Sequence, residues 1–396
     1  MRQRVSDGVI GLVCPGPNDY WLGGLHYLEH LVASISRLPP EERVPFCDVW
    51  WGEAPADDPF KDVRHLLRMR AVLMLPRTVG ARLSRFVRRR YSGQSDKGMS
   101  DIFEGAGIDA LFPSLPCARP GVPLIFWLTD LQYRHHPERY PEEMLRWFES
   151  FNHENGHVAA RVVVTSQAVL DDVRRFLPQL VDKARVVKIC SVPTERWWRS
   201  DPVAVARRYA LPERFFVISN QICVHKNHQT VFDAVKRLRE SGINVSIVCT
   251  GRNEDYRDPL FFPTLSDRVV RDGLESQVRF LGAVPREDHI ALLRRSLALI
   301  QPSLFEGWGF AISDAKALGK PVLASDIPVH HEHGHPRITY VPPSDQDAWA
   351  DALGQATARF APGPDLPSEE EAAARSRVEA LRAGRSAVEM FREVIG

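Results

Sequence analysis

The chemistry within reach of this 396-residue chain is concentrated in residues 301–326, which read QPSLFEGWGFAISDAKALGKPVLASD. An apolar run ends near Gln301, a loop holds Glu306 between aromatic residues and glycines, and a helical pattern opens near Gly309. Asp314 follows Glu306 by eight residues, about two helical turns. At ~1.5 Å per residue the two carboxylates can project into one cleft roughly 12 Å apart. Gly307 and Gly309 let a ligand approach the backbone with no Cβ in the way, and the unpaired N–H groups of the new helix then face an anion. One acid can accept from sugar hydroxyls and the other from ribose hydroxyls, with phosphates at the amides between them. A glycine-rich turn carrying two solvated acids accounts for the spacing equally well.

A second element is RFFVISNQICVHKNHQTVFDAVKRL, where a strand ends at about Ser219 and Lys226-Asn227-His228 opens a helix. A lysine at a helix start opposes the macrodipole unless an anion sits nearby, which favours a phosphate-binding role for Lys226. In the first half, CPGPNDYWLGGLHYLEHL sets Gly23-Gly24 between a strand and a helix. LIFWLTDLQYRHHPERYP sets Thr129-Asp130-Leu131-Gln132 directly after a strand, and RVVVTSQAVLDDVRRF sets Thr165 and Ser166 at another strand end.

The elements that carry these positions follow one rule. Apolar runs (VIGLVC, VPFCDVW, AVLMLP, PLIFWL, RVVVT and RVVKIC, then RFFVIS, NVSIVCT, QVRFLG, LALIQP, PVLAS and RITYV) alternate with amphipathic stretches such as LHYLEHLVASISRL and HQTVFDAVKRLRES. That repetition predicts an α/β protein with parallel sheets covered by helices, and there are too many strands for one sheet. SVPTERWWRSDPVAVARRYALPER breaks the alternation and places a domain junction near residues 192–213. The prediction is two doubly wound, Rossmann-like domains over 1–195 and 205–360, facing a cleft, with a linker and C-terminal helix over 361–396. Open parallel sheets bind ligands at the carboxyl ends of their strands, where the residues above lie.

Composition narrows the partners. Fifty-one Lys plus Arg against fifty Asp plus Glu leave a formal charge of +1, so there is no global electrostatic case for a nucleic-acid partner. A hydrophobic fraction of 44% excludes a disordered chain. The six cysteines form no Cys-x-x-Cys pair and no metal-ligand spacing with His, which predicts a reduced, cytoplasmic protein. No apolar run reaches the ~18–20 residues of a membrane crossing, and MRQRVSDGVIGLVCPGPND reads as a buried first strand rather than a signal peptide.

The stretch around Glu306 resembles the family 4 retaining glycosyltransferases of the GT-B fold, and Asn220-Gln221 followed by His225-Lys226-Asn227-His228 resembles their polysaccharide-type subgroup. Those enzymes carry a Glu, seven residues and a second Glu here; Asp314 stands in the second place. The resemblance implies that Glu306 contacts the donor sugar and that the backbone of Gly309, Phe310 and Ala311 meets its hydroxyls and phosphate. It implies that Asp314 holds the ribose, one methylene shorter in reach than Glu. It sets Lys226 at the donor diphosphate, with Gln221 where the family has Arg. Gly251-Arg252 and Ala283-Val284 are implied to lie by the nucleotide, and Gly23-Gly24 where donor and acceptor meet. On the acceptor side it implies Gln132, Tyr133, Thr165 and Ser166, with Asp130 joining Glu306 and Lys226 as catalytic. Many members have His before that Asp; Thr129 occupies the place here.

Two other signals receive structural readings or stay open. Asp345-Gln346-Asp347 has the spacing of a metal-binding acid pair but follows PPS, so Ser344 as a helix N-cap explains it. Arg82, Arg85, Arg88, Arg89 and Arg90 form a basic helical cluster, either a solvated face or a contact for anionic membrane or a lipid diphosphate. The expectation is a retaining, metal-independent glycosyltransferase without a cofactor. It would move a sugar from a nucleotide-diphosphate sugar to a saccharide or lipid-linked acceptor in polysaccharide or glycoconjugate synthesis. It is placed in the cytoplasm, with peripheral contact at the inner membrane face. The alternatives are a GT-B nucleotide-sugar epimerase or hydrolase, and a catalytically silent subunit that binds a partner transferase.

Overall fold

The computed structural model describes residues 8–14, 22–51, 58, 60–73, 103–113, 121–255 and 257–396. The arginine cluster of residues 82–90 lies outside them. Contacts divide the chain into two units. The first holds residues up to Pro137, Glu142–Cys190 and Val378–Gly396; the second holds Glu138–Pro141 and Ser191–Arg377.

In the first unit, β1 (Val9–Cys14) is buried along its whole length, as expected of a central parallel strand covered on both faces. It pairs in parallel with β2 (Phe46–Trp51) on one side and β4 (Ile108–Phe112) on the other, and β3 (Leu67–Leu73) lies beyond β2. β4 is a strand that the apolar runs do not reveal, because IDALF is short and interrupted by an acid. Asp109 accepts a hydrogen bond from Val9 N at 2.7 Å, which fixes the two strands' ends. A parallel bridge from Leu111 to Leu124 continues towards β5 (Ile125–Trp127), β6 (Arg161–Val164) and β7 (Ala184–Val186). The strand order is therefore β3-β2-β1-β4, then β5-β6-β7. Helices α1 (Leu22–Ser36), α2 (Gln132–His135), α3 (Glu142–Val158) and α4 (Gln167–Phe176) connect these strands.

The second unit is one six-stranded parallel sheet in the order β10-β9-β8-β11-β12-β13. Its strands are β8 (Phe216–Ser219), β9 (Ile247–Thr250), β10 (Val278–Gly282), β11 (Leu299–Gln301), β12 (Val322–Ser325) and β13 (Ile338–Val341). The intervening helices are α5 (Pro202–Arg208), α6 (His228–Glu240), α7 (Phe261–Arg271), α8 (Arg286–Arg295), α9 (Phe310–Ala317), α10 (Pro328–His331) and α11 (Gln346–Arg359). Successive strands are added in opposite directions from β8 and from β11, so their carboxyl ends open the crevice where doubly wound sheets bind ligands. The N-cap of α11 is Asp345, not Ser344: its carboxylate accepts from Asp347 N and Ala348 N, both at 3.0 Å, and its charge suits the helix dipole. Asp347 in turn pairs with Arg237 at 2.7 Å.

The segment read as a linker and terminal helix is divided between the units. Helix α12 runs Leu366–Ile395, with residues up to Arg377 in the second unit and from Val378 in the first. Within the second unit Arg294 grips Glu369 through two bonds of 2.8 and 3.0 Å, both side chains buried. Lys320 donates to Arg294 O and Gly363 O, and burial pushes its pKa down to about 7. Gly319 has φ +64, and a Cβ there would stand 2.3 Å from Ser368 O. Within the first unit Phe391 packs edge-on against Phe46 and Phe112, while Glu393 pairs with Arg161 and Arg185.

The Arg294–Glu369 pair makes a stability prediction. Glu369→Ala leaves the Arg294 guanidinium buried without its counter-charge, which costs about 3–5 kcal/mol. Chemical denaturation should show a loss of that size; a change within about 0.5 kcal/mol would mean that the pair contributes nothing to holding α12.

Candidate active site

The loops after β8 and β11 meet at Glu306. Its Oε1 accepts hydrogen bonds from Lys226 Nζ at 2.6 Å, Gln301 Nε2 at 2.7 Å and Ser303 Oγ at 2.8 Å. Among the described residues Oε2 has no donor. The Glu306 side chain is 8% exposed and that of Lys226 16%. Burial raises the carboxyl pKa, but the Lys226 charge and hydrogen bonds outweigh it and hold Glu306 below its ordinary value. Glu306 is the only hydrogen-bond partner of Lys226 Nζ among the described residues, so two ammonium protons are left for an anion.

Local structure makes this meeting possible. A tight turn over Val224–Lys226 ends at Asn227, which adopts φ +57 and ψ 37. Asn tolerates that left-handed conformation better than most residues, and its amide donates to Pro302 O at 3.0 Å and Pro343 O at 2.7 Å. Leu304 N donates to His225 O at 2.8 Å, so backbone and side chain both stitch the loops together.

Gly309 begins α9 with φ +97, and the amide ends of Phe310 and Ala311 follow it. A Cβ on Gly309 would meet His333 Nε2 at 3.7 Å and His330 Nε2 at 3.8 Å. Burial pushes His333 down to about 3, so its ring is neutral. Its Nε2–H donates to Trp308 O at 2.9 Å, and the two rings lie 4.2 Å apart.

Asp314, in α9, is buried and engaged within the protein. Arg286 donates to its two oxygens at 2.6 and 2.8 Å, and Ser191 Oγ adds a bond of 2.6 Å. Arg286 also lies over the Trp197 ring and donates to His289 Nδ1 at 3.0 Å, and the opposite ring nitrogen donates to Ser219 Oγ at 2.6 Å. Asp314, expected to hold the ribose, is thus one half of a carboxylate–guanidinium pair whose other half, Arg286, follows Ala283 and Val284. Gln221 donates to Glu254 O at 2.5 Å, which joins its loop to the one after β9. Gly251, φ +130, makes that approach possible: a Cβ there would fall 2.1 Å from Asn220 O. Arg252 O accepts from Ile222 N at 2.9 Å.

The remaining expected residues belong to the first unit. Gly23 is exposed and Gly24 buried in the first turn of α1. Asp130 accepts from Gln132 N at 3.0 Å, closing a turn after β5. Tyr133 stacks on Phe148 and accepts from Asn152 at 3.2 Å. Thr165 is buried, and Ser166 caps α4 by accepting from Val169 N at 3.1 Å. The parts that Gln301, Ser303, Asn227, Arg286 and His330 play here escape the sequence reading. The one legible signal is that Gln301 closes an otherwise apolar strand. Among the described residues no cluster of three or more His, Cys, Asp or Glu is placed to hold a metal ion, and no helix is long and apolar enough to cross a membrane.

Residues 207–358 match the family described as "Glycosyl transferases group 1". The matched span contains Lys226, Glu306 and Asp314. This segment is therefore similar to the group 1 glycosyl transferases. Over 141 residues the chain is 33% identical to the O-antigen chain mannosyltransferase RfbU of Salmonella typhimurium, covering 36% of this chain and 38% of that one. It is 25% identical over 194 residues to O-antigen chain mannosyltransferase B of Escherichia coli, covering 48% and 50%. The chain thus spans about two fifths to one half of the length of these relatives. Two solved structures share the fold across nearly the whole chain. A glycosyltransferase from Rickettsia africae has a TM-score of 0.66 at 16% identity, covering 98% of each chain. Anabaena Alr3699/HepE, solved with UDP and glucose, has a TM-score of 0.62 at 16% identity, covering 97% of this chain and 98% of that one. The fold is GT-B, an α/β architecture with parallel sheets and a C-terminal helix.

The Lys226–Glu306 ion pair predicts a pH signature. In the wild type, the stability contributed by Glu306 is present above the ordinary carboxylate pKa and is lost as pH falls through its lowered value. Lys226→Met removes the cation, so burial drives that pKa above its ordinary value and reverses the sign. Melting curves should lie close together near pH 5 and separate towards pH 7, by up to about 3–5 kcal/mol. An equal gap at both pH values counts against the pair.

Proposed function

We propose that the chain is a glycosyltransferase of polysaccharide or glycoconjugate synthesis that moves a sugar from a nucleotide-diphosphate sugar to an acceptor hydroxyl, with retention at the anomeric carbon. The observation that carries this reading is the Lys226–Glu306 pair at the β8–β11 crevice, beside the amino end of α9. Lys226 and the α9 amides stabilise negative charge on the departing diphosphate. Glu306 Oε2 accepts from the donor sugar, while Arg286 and Asp314 stand at the nucleotide end. Retention follows if the acceptor attacks from the face that the diphosphate leaves and a phosphate oxygen takes its proton, so no protein base and no metal is required. The names of the two mannosyltransferase relatives and the UDP and glucose of the Anabaena structure support the substrate class.

Acceptor selection is assigned to the first unit, through Gly23-Gly24, Asp130, Gln132 and Tyr133. The acceptor is a saccharide or a lipid-linked sugar, and the enzyme works in the cytoplasm at the inner membrane face.

A thermal-shift screen of UDP-, GDP-, ADP- and TDP-linked sugars should select one base, since a ligand at 100 times its Kd stabilises by about 2.7 kcal/mol. Lys226→Met should weaken binding of the selected donor by about ten- to a hundred-fold. Glu306→Gln should lower kcat more than donor affinity. Turnover of donor in the absence of any acceptor would favour an epimerase or hydrolase. Donor binding without transfer to any acceptor would favour a silent subunit.

A further inference from the structure

The imidazole of His330 is wholly buried in α10, immediately after β12. Its Nδ1 lies 2.8 Å from Ser325 O, and the Ser325 hydroxyl is already donated to Ser303 O at 2.5 Å. Nδ1 therefore carries the proton and Nε2 is left as a lone-pair acceptor. Burial lowers the ring's pKa, which keeps this neutral form. Among the described residues Nε2 is buried with no hydrogen-bond partner. An unpaired buried acceptor is costly, and native proteins leave few of them.

Its position gives the unpaired nitrogen a meaning. Nε2 lies 3.8 Å from where a Gly309 side chain would begin. Ser325 holds the His330 ring and donates to Ser303, whose hydroxyl donates to Glu306 Oε1. The Glu306 charge also acts on the His330 ring. A relay of two serines thus links two acceptors, His330 Nε2 beside Gly309 and Glu306 Oε2, each without a donor among the described residues. Two acceptors of this kind call for a ligand that brings hydroxyl donors, and a sugar brings several. A phosphate brings none in its ionised form.

We propose that His330 Nε2 is a recognition acceptor for one hydroxyl of the donor's sugar, acting beside Glu306 and leaving the nucleotide to other residues. This rests on the transferase reading above and adds the group that reads the sugar.

Calorimetry on the full chain tests it with UDP, GDP, ADP and TDP, each against its glucose- or mannose-linked form. His330→Asn keeps an amide donor for Ser325 O and removes the Nε2 acceptor. It should weaken the sugar nucleotide by about five- to a hundred-fold while the bare nucleotide binds as before. His330→Gln, which returns a polar atom at similar reach, should fall between. Equal affinity of the wild type and His330→Asn for the sugar nucleotide would overturn the proposal. So would a parallel loss for nucleotide and sugar nucleotide, which is the mark of a structural role. Should His330→Asn melt early, donor analogues lacking one sugar hydroxyl in turn are compared on the wild type and His330→Gln. One hydroxyl whose removal costs the wild type more than the variant supports the proposal, and indifference to every hydroxyl overturns it. A wild type that binds none of the nucleotides or sugar nucleotides would overturn the transferase reading itself.

Discussion

A carboxylate withdrawn from water is tolerated only with a positive charge or several donors beside it. At Glu306 that requirement is met by Lys226, and it binds the loop after β8 to the loop after β11. Each further contact serves the same meeting. Asn227 takes a left-handed conformation so that its amide can reach Pro302 and Pro343. Gln301 and Ser303 fill the remaining approaches to Oε1. An exposed pair such as Arg146–Glu142 is screened by solvent and constrains little. The buried pair fixes two loops because neither partner has an inexpensive alternative.

The same economy explains Asp314. An aspartate has less reach than a glutamate, and here it stays inside the unit, gripped by Arg286 and Ser191. Through Arg286 the contact continues to His289, and from there to Ser219 at the end of β8 and Thr250 at the end of β9. A polar chain therefore crosses the carboxyl edge of the sheet from α9 to β9.

Much of this was legible in the chain itself. Alternating apolar and amphipathic stretches gave parallel α/β units, and the rule that ligands gather at strand ends singled out Lys226 and Glu306. What escaped was of two kinds. Strand β4 is too short and too acidic to stand out as IDALF, although Asp109 is there to anchor β1. Arg286 and His330 act at a distance in sequence, 28 positions before Asp314 and 24 after Glu306, where no local periodicity links them. The N-cap of α11 was misplaced by one residue because Ser and Asp are both good caps and only the geometry decides. The division of α12 was hidden too, since one uninterrupted helical pattern carries residues of both units.

Helix α12 bears on how the chain is made. Domains emerging from a ribosome tend to fold in order, the N-terminal one first. The first unit here lacks that freedom. Phe391 belongs against Phe46 and Phe112, Glu393 joins Arg161 and Arg185, and a Cβ on Gly384 would stand only 2.7 Å from Ser34 O. All of these partners are synthesised before residues 191–377, and the part of α12 that completes them, from Val378 on, is synthesised after. The nascent first unit must therefore wait, with the apolar floor for Phe391 uncovered, while residues 191–377 are translated. Translation speed and chaperone access during that interval bear on the yield of native protein.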